Sequence, residues 1–291
     1  MFKENEDIHF ACTQCGKCCI KTPNMSFEDM MQLSKHFIFQ TTHNVAISYA
    51  NNPLEKSQLE YYQMIAHTIV IPEVEASLFY YVNFGVLPLQ TANACEKLVD
   101  KKCSIYMDRP NSCRLLPLSN NYDEQLQWKA VNFFTKEELG WECDFSKDAP
   151  LLIKDNFIYN RNYNSIYNIE MQNLRSYTDK YMDFVGNFGD EKKKKHFLRL
   201  FNTVKTQQQL ITDIIFSLQV AIFYSVISDD EANEFLVNQI DLLKNAIRIC
   251  MEVKDKNNLQ VSRMYKKILD DYERAVNNQI FKKDVTTEFV F

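Results

Sequence analysis

The sequence predicts an α+β fold, mostly α, in which an irregular cysteine-rich metal-binding domain precedes a helical bundle. Three observations carry that expectation. Eight of the nine cysteines fall between Cys12 and Cys143. Helical periodicity dominates after residue 150, whereas helical and alternating patterns are mixed before it. Only 5 Gly and 7 Pro occur in 291 residues, too few for a turn-dense all-β chain.

Composition sets further bounds. A hydrophobic fraction of 46% with 13% aromatic residues supplies a sizeable core and excludes wholesale disorder. The net charge is −5. Residues 1–150 carry 13 Lys/Arg against 19 Asp/Glu, and residues 151–291 carry 20 against 19. Composition thus divides the chain into a cysteine-cluster domain over 1–150 and a helical domain over 151–291. Without a basic excess, no nucleic-acid partner is expected. The N-terminus is acidic and lacks an apolar h-region, so it does not resemble a secretory signal. The longest uncharged apolar run, 214–228, falls short of the roughly 20 residues that span a bilayer and is expected to be a core helix. These features predict a cytoplasmic protein with reduced thiols, no membrane association and an unidentified protein partner.

Taken in order, Ser26-Phe27-Glu28-Asp29 is a helix start, a capping hydroxyl followed by acids, with Met30, Leu33 and Phe37 on one face. A helix over 54–69 follows from Leu59, Tyr62, Ile65, Ala66 and Ile69. Residues 84–88 and 126–134 are expected as short strands, the second from an imperfect alternation. Beyond 150, Ile169, Leu174, Tyr177, Tyr181 and Phe184 keep helical spacing, and a long helix is expected over 194–227. Asp229 and Asp230 offer an N-cap for a helix to Val253, burying Phe235, Leu236, Ile240, Leu243, Ile247 and Cys250. A last helix over 261–281 puts Met264, Tyr265, Ile268, Leu269 and Tyr272 on one side. Four amphipathic helices with short links make a small bundle or cap. The lysine run 192–195 reads as a solvated face.

The chemistry is concentrated in Cys12-Thr13-Gln14-Cys15-Gly16-Lys17-Cys18-Cys19. A two-residue spacer lets both sulfurs of a CxxC turn towards one ion while amide N–H groups point at the thiolates. Gly16 turns the chain where a Cβ would be costly. Three thiolates in one loop are how bacterial ferredoxin loops begin, but here Cys19 adjoins Cys18 and the usual later Cys-Pro is missing. Neighbouring side chains point in different directions. Either two centres sit close together, or one of the pair is a spare thiol. Cys95, Cys103, Cys113 and Cys143 are spaced too widely for one finger and must return to the first loop in space.

Arg109 and Arg114 flank the second group. They either bond to sulfur or to an anionic ligand, as cofactor-binding residues, or pair with Asp108, Glu96 or another acid. Pro110 and Pro117 set loop conformation, and Tyr106 reads as a packed core aromatic. His9 is either an auxiliary ligand or a packing residue. Cys250, on an apolar helix face, is expected buried and inert. There is no HExxH, Walker loop, GxGxxG, GxSxG or EF-hand loop, so no catalytic residue is legible and the question of enzymatic activity stays open.

The pattern Cys-x2-Cys-Gly-x-Cys-Cys, then Cys-x2-Leu, then Cys-x-Ile-Tyr-x2-Arg-Pro-x2-Cys-Arg-x2-Pro resembles the YkgJ-type cysteine-cluster family. That resemblance covers 10–20 and 95–117 and includes Gly16, Leu98, Ile105, Tyr106, Arg109, Pro110, Arg114 and Pro117. It implies a zinc- or iron-chelating protein, and members are often labelled iron–sulfur proteins. The cysteine framework is more weakly similar to flagellin lysine-N-methylases, which implies an iron–sulfur centre joined to S-adenosylmethionine chemistry.

Eight thiolates would add −8 to a region already at −6, so metal binding is expected to be coupled to folding. The ligand set is Cys12, Cys15, Cys18, Cys19, Cys95, Cys103, Cys113 and Cys143. Three cysteines in one loop favour [4Fe–4S], and zinc is the alternative. Three functions follow: an iron–sulfur protein with a redox role, an iron–sulfur- and S-adenosylmethionine-dependent protein-lysine methyltransferase, or a zinc-stabilised interaction module without catalysis.

Overall fold

Helices and antiparallel strands alternate along the computed structural model, the α+β class that the sequence predicts. The structure describes residues 1–19, 24–71, 75–87, 95–136, 140–187, 209–212, 214–253 and 256–281. In chain order the elements are β1 (Ile8–His9), α1 (Phe27–Gln32), β2 (Ile38–Tyr49), α2 (Lys56–Ile65), β3 (His67–Ile71), β4 (Ala76–Leu87), β5 (Leu98–Val99) and β6 (Lys102–Cys103). They continue with α3 (Asn111–Arg114), α4 (Gln127–Phe133), β7 (Leu151–Lys154), β8 (Phe157–Ile158), α5 (Arg161–Asn187), β9 (Gln209–Thr212), α6 (Ile215–Phe223), α7 (Asp229–Val253) and α8 (Lys256–Asn277). Strand order is β1-β7-β8 in one sheet and β3-β4-β2-β9 in another, and β5-β6 form a hairpin.

Two compact units result, and neither is a single stretch of chain. The first comprises Met1–Ser26, Val45–Tyr81 and Asn93–Ser176, the second Phe27–Asn44, Val82–Ala92 and Tyr177–Phe291. β2, β4 and α5 contribute residues to both.

The first unit is built on a core that includes Ile8, Phe10, Tyr61, Ile65, Leu115, Val131, Leu152, Ile166 and Tyr167. β1 pairs with β7 through Ile8↔Ile153 and His9↔Leu151. The β7–β8 and β5–β6 hairpins close through two-residue loops, Asp155-Asn156 and Asp100-Lys101, in which both residues have positive φ. Such turns match the right-handed twist of the strands. Arg175 Nη1 donates to the Ala66 carbonyl at 2.6 Å and the Gln63 carbonyl at 3.1 Å, placing a cation at the C-terminal end of α2.

In the second unit, β2 pairs with β9 from Thr41↔Thr212 to Asn44↔Gln209, and α7 packs along α8. Phe27 stacks on Tyr177 with ring centroids 4.7 Å apart. Gln239, fully buried on α7, ties that helix to the chain entering β2. Its Oε1 accepts from Phe39 N at 2.8 Å, and its Nε2 donates to the carbonyls of Ser34 (2.8 Å) and Phe37 (2.9 Å). Gln239→Ala strands these backbone groups and is expected to cost about 2–3 kcal/mol, read as a lowered denaturant midpoint at unchanged slope.

Several local expectations are corrected. Residues 126–134 are helical, not a strand: Asp123 accepts from Gln125 N at 2.9 Å and starts a 3₁₀ turn that runs into α4. The buried positions Gln127, Ala130 and Val131 follow helical spacing, with Gln127 Nε2 bonded to the Ser119 and Tyr122 carbonyls. The helix expected over 54–69 stops at Ile65, because the β-branched run in 67–71 pairs as β3 against β4. The expected strand at 84–88 is the end of the longer β4, and β2 carries no expectation of its own. Within 194–227 the chain forms β9 and α6, and 192–208 lies outside the described residues. α7 is capped by Ser228, not by Asp229 or Asp230: Ser228 Oγ accepts from Glu231 N while Glu231 Oε2 accepts from Ser228 N, a capping box. Met264 faces solvent, while Tyr265, Leu269 and Tyr272 are buried. No helix among the described residues is long and apolar enough to cross a membrane.

Candidate metal centre

All eight sequence-predicted ligand cysteines lie in the first unit, none of them in a disulfide, whereas Cys250 is buried in the second. Backbone pairing explains how distant cysteines come together. Ala11 and Asp144 form an antiparallel bridge, with Ala11 N donating to Asp144 O at 2.8 Å and Asp144 N to Ala11 O at 3.1 Å. Thr13 Oγ1 donates to the Glu142 carbonyl at 2.8 Å, and Lys17 pairs with Glu142 at 2.5 Å. These bonds lay Cys143 beside the start of the cysteine loop. At its other end, Cys95 N donates to Cys19 O at 2.8 Å, and Leu98 N donates to Cys95 O at 3.0 Å. The β5–β6 pairing sets Cys103 opposite Leu98. Cys113 sits in α3, whose first turn is closed by Cys113 N donating to Pro110 O at 2.9 Å.

Gly16 is needed at the point of closest approach. Its φ is +73°, and a Cβ there would stand 2.4 Å from the Lys101 carbonyl oxygen and 2.8 Å from Leu98 Cδ1. The glycine of the motif therefore serves contact with the β5–β6 hairpin as well as the turn.

Cys12, Cys18, Cys113 and Cys143 line one cavity of about 300 Å³. Arg109, Arg114, Tyr106, Asn162 and Tyr163 share its wall with apolar groups such as Phe10 and Phe134. Arg109 donates from Nε to the Tyr106 carbonyl at 3.1 Å and lies 3.8 Å over the Tyr106 ring. Among the described residues neither arginine forms an ion pair with an acid. Glu96 Oε1 lies 3.8 Å from Lys97 Nζ. Tyr106 is half-buried under that guanidinium and not a core residue. His9 has a packing role, its Nδ1 lying 2.7 Å from the Ala149 carbonyl.

Asn162 and Tyr163, at the start of α5, were not marked by any motif, since their only link to the cysteines is through folding. The same holds for two buried donors. Trp141 Nε1, two residues before Cys143, and Ser112 Oγ, beside Cys113, have no hydrogen-bond partner. Buried donors are ordinarily satisfied, and donors of this kind near ligand sulfurs commonly bond to metal-bound thiolate.

Electrostatics point the same way. Burial, and the nearby sulfurs of Cys15, Cys18 and Cys12, push the Cys143 thiol up to about 12. Burial and the Cys95 sulfur push Cys113 up to about 12, against the pull of Arg109. Cys19 donates its S–H to Cys18, which holds Cys18 well below and Cys19 well above the ordinary thiol range. Raised thiols are protonated near neutral pH without metal, so ligation must release protons and metal affinity must rise with pH. In the metal-free protein, iodoacetamide at pH 7 is expected to label Cys18 ahead of Cys113 and Cys143, as read by peptide mass spectrometry.

Among the described residues, no three His, Cys, Asp or Glu side chains are arranged to hold a metal ion. The donor set nevertheless fits a thiophilic metal: clustered cysteines outside any disulfide, two arginines that form no ion pair with an acid among the described residues, and two buried donors, Trp141 Nε1 and Ser112 Oγ, without a hydrogen-bond partner among the described residues.

Comparison with known families agrees. Residues 11–144 match the family described as "CxxCxxCC: Putative zinc- or iron-chelating domain". No curated protein and no solved structure matches the chain. The matched segment begins one residue before Cys12 and ends one after Cys143, so it spans all eight cysteines of the loop and its tethers. The cysteine-bearing segment 11–144 is thus similar to the CxxCxxCC family, described as a "Putative zinc- or iron-chelating domain".

Proposed function

We propose that this domain holds a [4Fe–4S] iron–sulfur centre and that the protein has a redox role. The observation that carries the reading is the cavity of about 300 Å³ whose wall includes Cys12, Cys18, Cys113 and Cys143 together with Arg109 and Arg114. A structural zinc draws four sulfurs to about 2.3 Å from one ion, leaving no space among them. A cavity between thiols suits a larger inorganic core. The ligands would come from Cys12, Cys15, Cys18, Cys19, Cys95, Cys103, Cys113 and Cys143. When bound, the cluster supplies one-electron transfer. Arg109 and Arg114 offset the charge of thiolate-bound iron, and the apolar wall formed by Phe10, Leu116, Phe134 and Ile166 limits water.

A redox role implies a protein partner that exchanges electrons, and reduced thiols fit a cytoplasmic setting. Anaerobic purification with a visible spectrum and iron, sulfide and zinc analysis tests the reading. Broad visible absorbance with matching iron and sulfide supports it. A colourless protein holding only zinc overturns it and leaves a zinc-stabilised module. In the iron-loaded protein, Arg109→Gln is expected to lower the reduction potential, since a nearby cation favours the more negative reduced form. Unchanged voltammetry would show that Arg109 does not act on the centre.

A further inference from the structure

Two other stretches of chain are tied to the cysteine loop, chiefly at its two ends. Residues 142–144 are bonded to its start, through the Ala11–Asp144 bridge and the Thr13 hydroxyl, and Glu142 also reaches Lys17 between Cys15 and Cys18. Residues 95–103 are bonded to the second half, through Cys95 N on Cys19 O and the hairpin that presses Lys101 and Leu98 against Gly16. Cys143 therefore belongs beside Cys12 and Cys15, and Cys95 and Cys103 belong beside Cys19. Cys113 in α3 has Cys95, Cys18 and Cys103 as neighbouring sulfurs, two of them from the 95–103 stretch.

We propose that the domain holds two neighbouring metal centres divided at the Cys18–Cys19 junction. Cys12, Cys15, Cys18 and Cys143 hold one, and Cys19, Cys95, Cys103 and Cys113 hold the other. The division rests on the metal-binding reading above but not on which metal is bound. A tetrahedral zinc and a cuboidal iron–sulfur cluster each take four cysteines, so eight donors make two complete sets. It also accounts for the adjacent pair: each of Cys18 and Cys19 serves a different centre, and neither is spare. Adjacency of Cys18 and Cys19 in the chain puts the two centres side by side. The neighbouring sulfurs recorded above fall mostly the same way: Cys143 has Cys15, Cys18 and Cys12 near it and Cys19 has Cys113 and Cys95, while Cys113 has Cys95, Cys103 and, across the junction, Cys18. Cys113 also borders the cavity with Cys12, Cys18 and Cys143, as expected of a ligand on the shared edge.

The test is metal counting on the full chain by native mass spectrometry and elemental analysis, after anaerobic reconstitution with iron and sulfide or with zinc alone. About eight iron with eight sulfide, or about two zinc, is expected per chain. Cys143→Ser and Cys95→Ser should each keep about half of that metal, and the double variant almost none. A wild-type count of about four iron or one zinc overturns the division while leaving metal binding intact. A single variant that stays folded by circular dichroism yet loses all metal also overturns it. Absence of any metal under every condition overturns the metal-binding reading itself.

Discussion

Removing the metal by chelation is expected to unfold the cysteine loop and the segments tied to it, and Cys12→Ser or Cys15→Ser is expected to unfold the part that its own centre holds. The physical reason is linkage. A site that exists only in the folded state returns its binding energy as folding energy, about 10–16 kcal/mol for structural zinc in small domains. The domain has its own apolar core, with Ile8, Leu115 and Val131 fully buried, so part of it survives. The loop 11–19 and the 95–103 segment have much less to hold them: short backbone pairings, a hairpin of two-residue strands and an exposed Lys17–Glu142 pair. Calorimetry should show the first transition falling by many degrees and metal content dropping with it. Cys250→Ala is the control, because Cys250 lies in the second unit; it should leave metal content unchanged and cost about 1 kcal/mol of packing. Retention of both metal and midpoint in the Cys12 and Cys15 variants would remove those residues from the ligand set.

Gly16→Ala is expected to be nearly as damaging as losing a ligand. The left-handed backbone costs an alanine about 1–2 kcal/mol, and the added methyl would overlap a backbone oxygen, which cannot turn aside as a side chain can. Relief requires the β5–β6 hairpin to move away, and that hairpin carries Cys103 and adjoins Cys95. Metal content should therefore fall along with stability. Gly186→Ala is the contrasting control: nothing lies within 4 Å of its built Cβ, and it sits in α5, so the change should be neutral or slightly stabilising. An alanine at 16 with full metal loading would show that the hairpin is free to shift.

Metal chemistry was legible from spacing alone, because Cys12 to Cys19 places donors within a few bonds of one another and few other uses fit that pattern. Helices α5, α7 and α8 were legible too, since each carries a long apolar stripe at helical period. α4 was misread because its buried face is short and begins with a buried glutamine, Gln127, whose role is fixed by backbone groups at Ser119 and Tyr122. β2 went unseen: among its residues Thr41, Thr42 and His43 are all buried, so it shows neither polar-apolar alternation nor an apolar run. The two arginines could be named from sequence but not assigned a role, as an ion pair is decided by which acid comes near.

By itself, then, the sequence determined the class of fold, the clustering of cysteines in its first half and the family resemblance. Those depend on composition and on neighbours within one turn or loop. Tertiary structure alone decided which cysteine meets which half of the loop, why residue 16 must be glycine, and how three separated stretches form each compact unit. The physical reason is that these are contacts between segments far apart in the chain, as between Gly16 and Lys101 or Ala11 and Asp144. Local spacing carries no information about such pairings until chain closure and core burial select them.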